Sequence, residues 1–149
     1  MVLDASAIVA FLADEPLATA ILAALEDNRT PVAVSPLTVF EAALSLARSR
    51  SSSRRASTRE GIERATGFVE DFLAEIEAEE VPVSPAMTRA AISVAARFGR
   101  AVGHPAALNL GDCFSYALAV ERDEPLLFVG ADFTETDVRS VLPDPRPRR

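Results

Sequence analysis

The chain has 149 residues, 49% of them apolar and 25% charged, with a formal net charge of −7 and a mean hydropathy of +0.17, the profile of one soluble globular domain long enough to bury a core. No apolar run approaches the roughly 18 residues that cross a bilayer, the start "MVLDASAIVAFLADEP" lacks the basic residues of a secretory signal, and a single cysteine, Cys113, rules out an internal disulfide framework. All fifteen basic side chains are arginine and there is one histidine, which excludes P-loop and Schiff-base chemistry and a closed zinc site; any metal here is held mainly by oxygen, which suits Mg²⁺ or Mn²⁺ more readily than Zn²⁺.

In chain order, residues 1–3 predict a strand ending at Leu3 or Asp4, with a helix beginning near Ser6. "EPLATAILAALED" (15–27) has Pro at a helix start and Leu17, Ile21 and Leu25 at i, i+4 and i+8, so it predicts a helix. "PVAVS" (31–35) is a brief strand bounded by prolines, and "LTVFEAALSLARS" (37–49) a helix with Thr38 as N-cap and Glu41 completing a capping box. "RSRSSSRRASTR" (48–59) holds five arginines and no acid, and reads either as a solvated loop or as a phosphate-contacting arm. "TREGIERATGFVEDFLAEIEAE" (58–79) puts Ile62, Ala65, Val69, Phe72 and Ile76 on one stripe, a long amphipathic helix forming an αα-hairpin with its predecessor.

"VPV" (81–83) predicts a short strand, and 84–99 a helix with Pro in its first turn and Gly at its end. "RAVGHPAALNL" is a loop in which His104 has a surface role. "GDCFSYALAVERD" is a helix with Asp112 as N-cap, and Cys113, Phe114 and Tyr116 as packing residues. "PLLFVG" (125–130) is a strand, and "PDPRPRR" (143–149) a flexible tail too rich in Pro and Arg to pack, which leaves 1–142 as the domain. Strands alternating with helices imply a three-layer α/β/α sandwich with a mainly parallel sheet, and such sheets bind ligands outside the carboxyl ends of their strands.

Four acidic positions bear on that crevice: Asp4 after the first strand, Glu41 and Asp112 in the first turns of helices, and the pair Asp132 and Asp137 after the last strand. Each has a plain alternative as a cap or turn residue. Gathered together they would repel, and a divalent cation relieves that repulsion, with water completing its oxygen shell. One such ion, or two about 3.5–4 Å apart, supports phosphodiester hydrolysis.

The sequence resembles the PIN-domain family, and within it the VapC-type toxins of bacterial toxin–antitoxin pairs. The resemblance runs from "MVLDASAIVAFL" to "TDV" at 136–138, carried most specifically by "LNLGDCFSYALA" followed by "PLLFVGADFTETD". It implies a magnesium-dependent endoribonuclease that acts as a homodimer and is inhibited by a cognate VapB-type antitoxin, and the lone cysteine, suited to a reducing compartment, places it in the cytoplasm. It further implies Asp4, Glu41 and Asp112 as metal carriers, Asp132 as the fourth catalytic acid with Asp137 as its alternate, and Ser6 orienting Asp4 or a bound water. Asn109 would bond substrate or a site carboxylate, or serve only as a loop residue near a helix start. In this setting Arg48, Arg50, Arg54 and Arg55 are candidate RNA contacts. The chain departs from the family where many members carry Thr two residues before the fourth acid and this one has Gly130.

That departure supports a rival reading, a catalytically degraded PIN-like module that binds RNA or a protein partner. Other acid-based α/β proteins fit less well. A phosphatase with an Asp nucleophile wants a second Asp where Ser6 stands, and a phospho-accepting receiver wants a lysine that the chain lacks.

Overall fold

The computed structural model describes residues 1–51 and 57–143. Arg54, Arg55 and all of the tail beyond Pro143 lie outside the described residues.

Among the described residues four two-residue strands, β1 (Val2–Leu3), β2 (Ala33–Val34), β3 (Glu79–Glu80) and β4 (Leu126–Leu127), form one parallel sheet in the order β3-β2-β1-β4. Neighbouring residues of a strand point to opposite faces, and that alternation sorts the core into two apolar clusters. Leu3, Val34 and Leu127 pack with Ile8, Ile21, Leu46, Val69 and Phe72 from the helices α1 (Ala5–Leu12), α2 (Ala18–Asp27), α3 (Pro36–Ser49) and α4 (Arg59–Glu75). Val2, Ala33 and Leu126 pack instead with Met87, Val94 and Leu118 from α5 (Pro85–Phe98) and α6 (Leu110–Glu121). The result is the expected three-layer α/β/α sandwich.

Several expected boundaries move, each for a local reason. The strand expected at 81–83 pairs earlier, at Glu79–Glu80; Val81 still donates to the Val34 carbonyl at 2.8 Å, and Pro82, which has no N–H, ends the ladder. The helix expected from residue 15 begins at Ala18, with Leu17 at a cap that makes no side-chain bond. α3 is capped not by Thr38 but by Ser35, whose side chain accepts from the Thr38 N–H while Pro36 occupies the first turn. Ser84 and Pro85 repeat the arrangement at α5. In both helices Pro sits where no intrahelical N–H bond is required.

Asp112 is not the N-cap of α6 either. Asn109 is: its side chain accepts from the Asp112 N–H at 3.1 Å, while the Asp112 carboxylate accepts from the Asn109 N–H at 2.7 Å. The two residues close a reciprocal capping box. One pairing was not expected from the sequence: a parallel bridge sets Ser140 beside Leu126 on the outer side of β4.

Candidate active site

The carboxyl ends of β1 and β4 and the N-terminal ends of α3 and α6 surround one cleft of about 280 Å³, lined by Asp4, Ser6, Glu41, Asn109, Asp112 and Asp132 among others. The four acids lie far apart in sequence, and packing of the two helical layers on the sheet is what brings them together.

Asp4 sits where β1 ends, its backbone N–H donating to the Leu127 carbonyl at 3.0 Å. Its Oδ2 accepts from the Ser6 N–H at 2.9 Å and from the Ser6 hydroxyl at 2.6 Å, so Asp4 also caps α1. The Ser6 oxygen in turn accepts from the Val129 N–H at 3.1 Å, tying the first acid to the chain just after β4. The other Asp4 oxygen, Oδ1, is buried and has no hydrogen-bond partner. A buried carboxylate oxygen without a partner is costly, and a cation is one group that would satisfy it.

Glu41 lies one turn beyond the start of α3 and is half-buried. Its Oε1 accepts from the Asn109 side-chain amide at 3.4 Å. Burial raises its pKa first and the Asp4 charge raises it further; the Asn109 bond and the Arg48 charge oppose this. Its other oxygen, Oε2, reaches within 1.8 Å of the point where a side chain on Gly111 would begin, so only glycine at that position lets the Glu41 carboxylate lie against the first turn of α6. The partial positive charge of that helix end favours an anion there.

Asp112 is 7% exposed. Desolvation pushes its pKa from 3.8 to about 7; the Asn109 N–H works against this, and the charges of Asp4, Asp132 and Glu41 add to it. Asn109 thus holds two acids at once, one through its backbone and one through its side chain. Asp132 is exposed at the rim, in the turn that follows β4. That turn contains Gly130 at φ +105°, a conformation that strains a β-branched residue, so a threonine at this position would need a different turn.

Asp137 stands apart from the cleft. Its carboxylate accepts from the Arg97 guanidinium at 2.9 Å and from the Tyr116 hydroxyl. Those bonds, Tyr116's first, lower its pKa, while burial and Asp137 together push the Tyr116 phenol up to about 12. The chain after Phe133 crosses to the α5/α6 face and carries Asp137 with it, away from the acids that line the cleft.

Of the arginines, Arg48 is close enough for its charge to act on Glu41, and it donates to Ser45 at 2.8 Å. Arg50 is engaged elsewhere, donating to the Leu12 carbonyl at 2.9 Å and lying 4.6 Å from the Phe68 ring centroid. His104 accepts the Ala106 N–H at 3.1 Å and stacks edge-on with Phe98, which is a role within its own loop.

The sequence did not reveal three features. Glu15 adds a fifth carboxylate to the lining of the cleft. Gly111 makes room for Glu41. Beneath the site, a buried hydroxyl chain joins Ser35 to Thr38 at 3.1 Å and Thr38 to Ser115 at 3.3 Å, locking α3 to α6 below Glu41 and Asp112. The Ser-Pro pair ahead of α3 signals the first of these hydroxyls; nothing local marks Ser115.

Whether these residues fit a metal follows from their chemistry. The donor set is all oxygen, suited to a hard divalent cation, and it includes the unpartnered Asp4 oxygen. Among the described residues no group of three or more His, Cys, Asp or Glu side chains is already arranged as a cage, so water would have to complete the shell of an ion held there.

Comparison with known proteins gives a consistent result. Residues 1–139 match the protein family described as "PIN domain". A VapC ribonuclease of Rhizobium meliloti is 39% identical over 137 residues, covering 91% of this chain and 96% of the relative. Ribonuclease VapC28 of Mycobacterium tuberculosis is 40% identical over 142 residues, covering 95% and 98% of the two chains. Ribonuclease VapC42 of the same species is 38% identical over 139 residues, covering 93% and 97%.

Proposed function

Because the chain belongs to the PIN-domain family and, within it, to the VapC ribonucleases, we propose that it is the ribonuclease toxin of a toxin–antitoxin pair, hydrolysing RNA phosphodiester bonds with Mg²⁺ or Mn²⁺ as cofactor. The observation that carries this reading is the convergence of Asp4, Glu41, Asp112 and Asp132 on one cleft, with a buried, unpartnered oxygen on Asp4.

Asp4, Glu41 and Asp112 are the groups that would hold the cation, directly or through water, and Asp132 at the rim is the fourth acid. When bound, a divalent cation polarises a phosphoryl oxygen and acidifies water. The remaining work belongs to the chain itself. Ser6 fixes the Asp4 carboxylate by two bonds to one oxygen, leaving the other for the site. Asn109 sets the spacing between Asp112 and Glu41. A cation held in the cleft would favour the ionised form of Asp112, which burial and the neighbouring acids oppose.

In the same reading the protein works in the cytoplasm as a homodimer and is blocked by a cognate VapB-type antitoxin, whose arginine pairing with the acids would be a strong charge-assisted contact. No helix among the described residues is long and apolar enough to cross a membrane. Arg48, beside Glu41, is the described member of the arginine run best placed to meet a substrate phosphate; Arg50, Arg54 and Arg55 complete the set of RNA contacts in this reading.

The deciding experiment is a divalent-cation titration of RNA cleavage with the Asp4→Asn and Asp112→Asn variants, each checked for an intact fold by circular dichroism. Both are expected to lose cleavage by at least the roughly 100-fold typical of lost transition-state charge stabilisation. Undiminished cleavage by a folded double variant sinks the assignment. A wild-type protein that binds RNA but cuts nothing under any divalent cation returns the chain to the degraded-module reading.

A further inference from the structure

α3 carries Glu41 into the cleft and α6 carries Asp112, so the distance between these two acids depends on how the helices sit on one another. The helices touch at two levels. At the cleft, Glu41 lies against Gly111 and accepts from the Asn109 side-chain amide at 3.4 Å. Below it, the Thr38 hydroxyl meets the Ser115 hydroxyl at 3.3 Å. Thr38 precedes Glu41 by three residues and Ser115 follows Gly111 by four. The helices therefore pass in opposite directions, and the two contacts lie about one turn, ~5 Å, apart.

The lower contact differs from the packing around it. Its surroundings are apolar, with Leu37 against the cluster that holds Phe114 and Leu118. Yet Ser35, Thr38 and Ser115 are each no more than 1% exposed, and a buried hydroxyl is costly unless it finds a partner. Each of the three does. Ser35 accepts from the Thr38 N–H at 3.1 Å and bonds the Thr38 hydroxyl at 3.1 Å, and Thr38 passes the chain on to Ser115. Ser35 directly follows β2, so the chain ties the sheet to α3 and α3 to α6. Apolar contact is non-directional and lets helices shift, whereas a hydrogen bond weakens steeply with distance and angle. Repulsion between the Glu41 and Asp112 carboxylates works to spread the same pair of helices at the cleft.

We infer that Thr38 and Ser115 are positioning residues, whose hydrogen bond fixes the spacing of Glu41 and Asp112 and with it the size of cation the cleft accepts. The inference rests on the cation-dependent reading above and deepens it. Mg²⁺ binds oxygen at about 2.0–2.1 Å and demands near-octahedral geometry, whereas Ca²⁺ takes about 2.3–2.6 Å and tolerates irregular shells. A locked pair of acids suits the smaller ion. A pair free to spread loses Mg²⁺ and keeps Ca²⁺.

The test measures cation binding on the intact chain without RNA. Bound Mn²⁺ is counted by electron paramagnetic resonance, and its displacement by Mg²⁺ or by Ca²⁺ gives the two affinities. Thr38→Val keeps the shape and removes the hydroxyl; Thr38→Ser keeps the hydroxyl and gives up a methyl group. Thr38→Val is expected to weaken Mg²⁺ binding by roughly 10–100-fold, the usual effect of losing a supporting contact behind a ligand, with Ca²⁺ binding much less affected. Thr38→Ser should bind both ions as wild type does. The Mg²⁺ concentration that half-saturates RNA cleavage should rise in Thr38→Val and not in Thr38→Ser. If Thr38→Val does not fold, Ser115→Ala removes the other end of the bond and must show the same ion-selective loss. Variants that unfold more readily in urea but bind Mg²⁺ like wild type overturn the inference, because the bond would then hold only the fold. So does an equal loss of Mg²⁺ and Ca²⁺, or a Thr38→Ser protein as impaired as Thr38→Val. Wild-type protein that shows this pattern against its variants but cuts no RNA overturns the ribonuclease reading alone; one that binds none of these cations overturns both.

Discussion

Replacing Asp112 with asparagine separates the cost of assembling the site from its use. The aspartate carboxylate ionises near 3.8 when the chain is unfolded and at about 7 in the folded protein, chiefly because it is buried. Between those values the unfolded chain has released a proton that the folded one retains, so stability falls as pH rises through this window and levels off above it. Over the whole window the loss comes to roughly 4 kcal/mol, a large part of the ~5–15 kcal/mol that holds a domain of this size together. Asparagine keeps the shape and still offers an oxygen to the Asn109 N–H, but it carries no charge and brings an amide group that needs a partner, at a cost of about 1 kcal/mol or more. Asp112→Asn is therefore expected to be about 2–3 kcal/mol more stable than wild type near pH 8 in EDTA and no more stable near pH 4. At 2–4 °C per kcal/mol this is a rise of roughly 4–12 °C in Tm. Urea unfolding of both proteins across that pH range, with and without Mg²⁺, is the assay, and the cation should narrow the gap by stabilising wild type alone. A difference that stays constant from pH 4 to pH 8, or a variant less stable than wild type at the upper end, would refute the reasoning.

Other predictions follow from the surroundings of the same cleft. Gly111→Ala places a methyl group where the Glu41 carboxylate now lies, so it should leave thermal stability within about 1 kcal/mol while lowering divalent-cation affinity by roughly 10–100-fold; calorimetric titration that finds normal affinity would show that Glu41 is dispensable to binding. Thr38→Val breaks the hydroxyl chain between α3 and α6, taking the Thr38 hydroxyl from buried Ser115 and leaving Ser35 its bond from the residue-38 N–H, and should cost about 1–3 kcal/mol in urea unfolding. Neutralising Arg54 and Arg55 together should weaken RNA binding and reduce its salt slope; an unaltered slope assigns the run to solvent.

The order of strands and helices, their parallel arrangement and the acids Asp4, Glu41 and Asp112 were legible in the sequence, because helical and strand periodicity is written in residues that are near neighbours along the chain and because Asp4 and Asp112 stand at element ends. What the sequence left open depends on contacts between distant segments. Asn109 reaches Glu41 across 68 positions, Ser115 meets Thr38 across 77, and no local pattern encodes either. The same holds for Asp137: the sequence leaves it as the alternate to Asp132, and only the path of the chain over α5 and α6 gives it to Arg97 and Tyr116. The caps of α3 and α6 shifted by three residues for a related reason, since several oxygen-bearing side chains compete for one helix end and the backbone geometry chooses among them. Phe40 is the plainest case. Its place in an apolar helical run marks it as core, and only the packed structure shows that the core closes short of it, leaving the ring at the edge of the cleft.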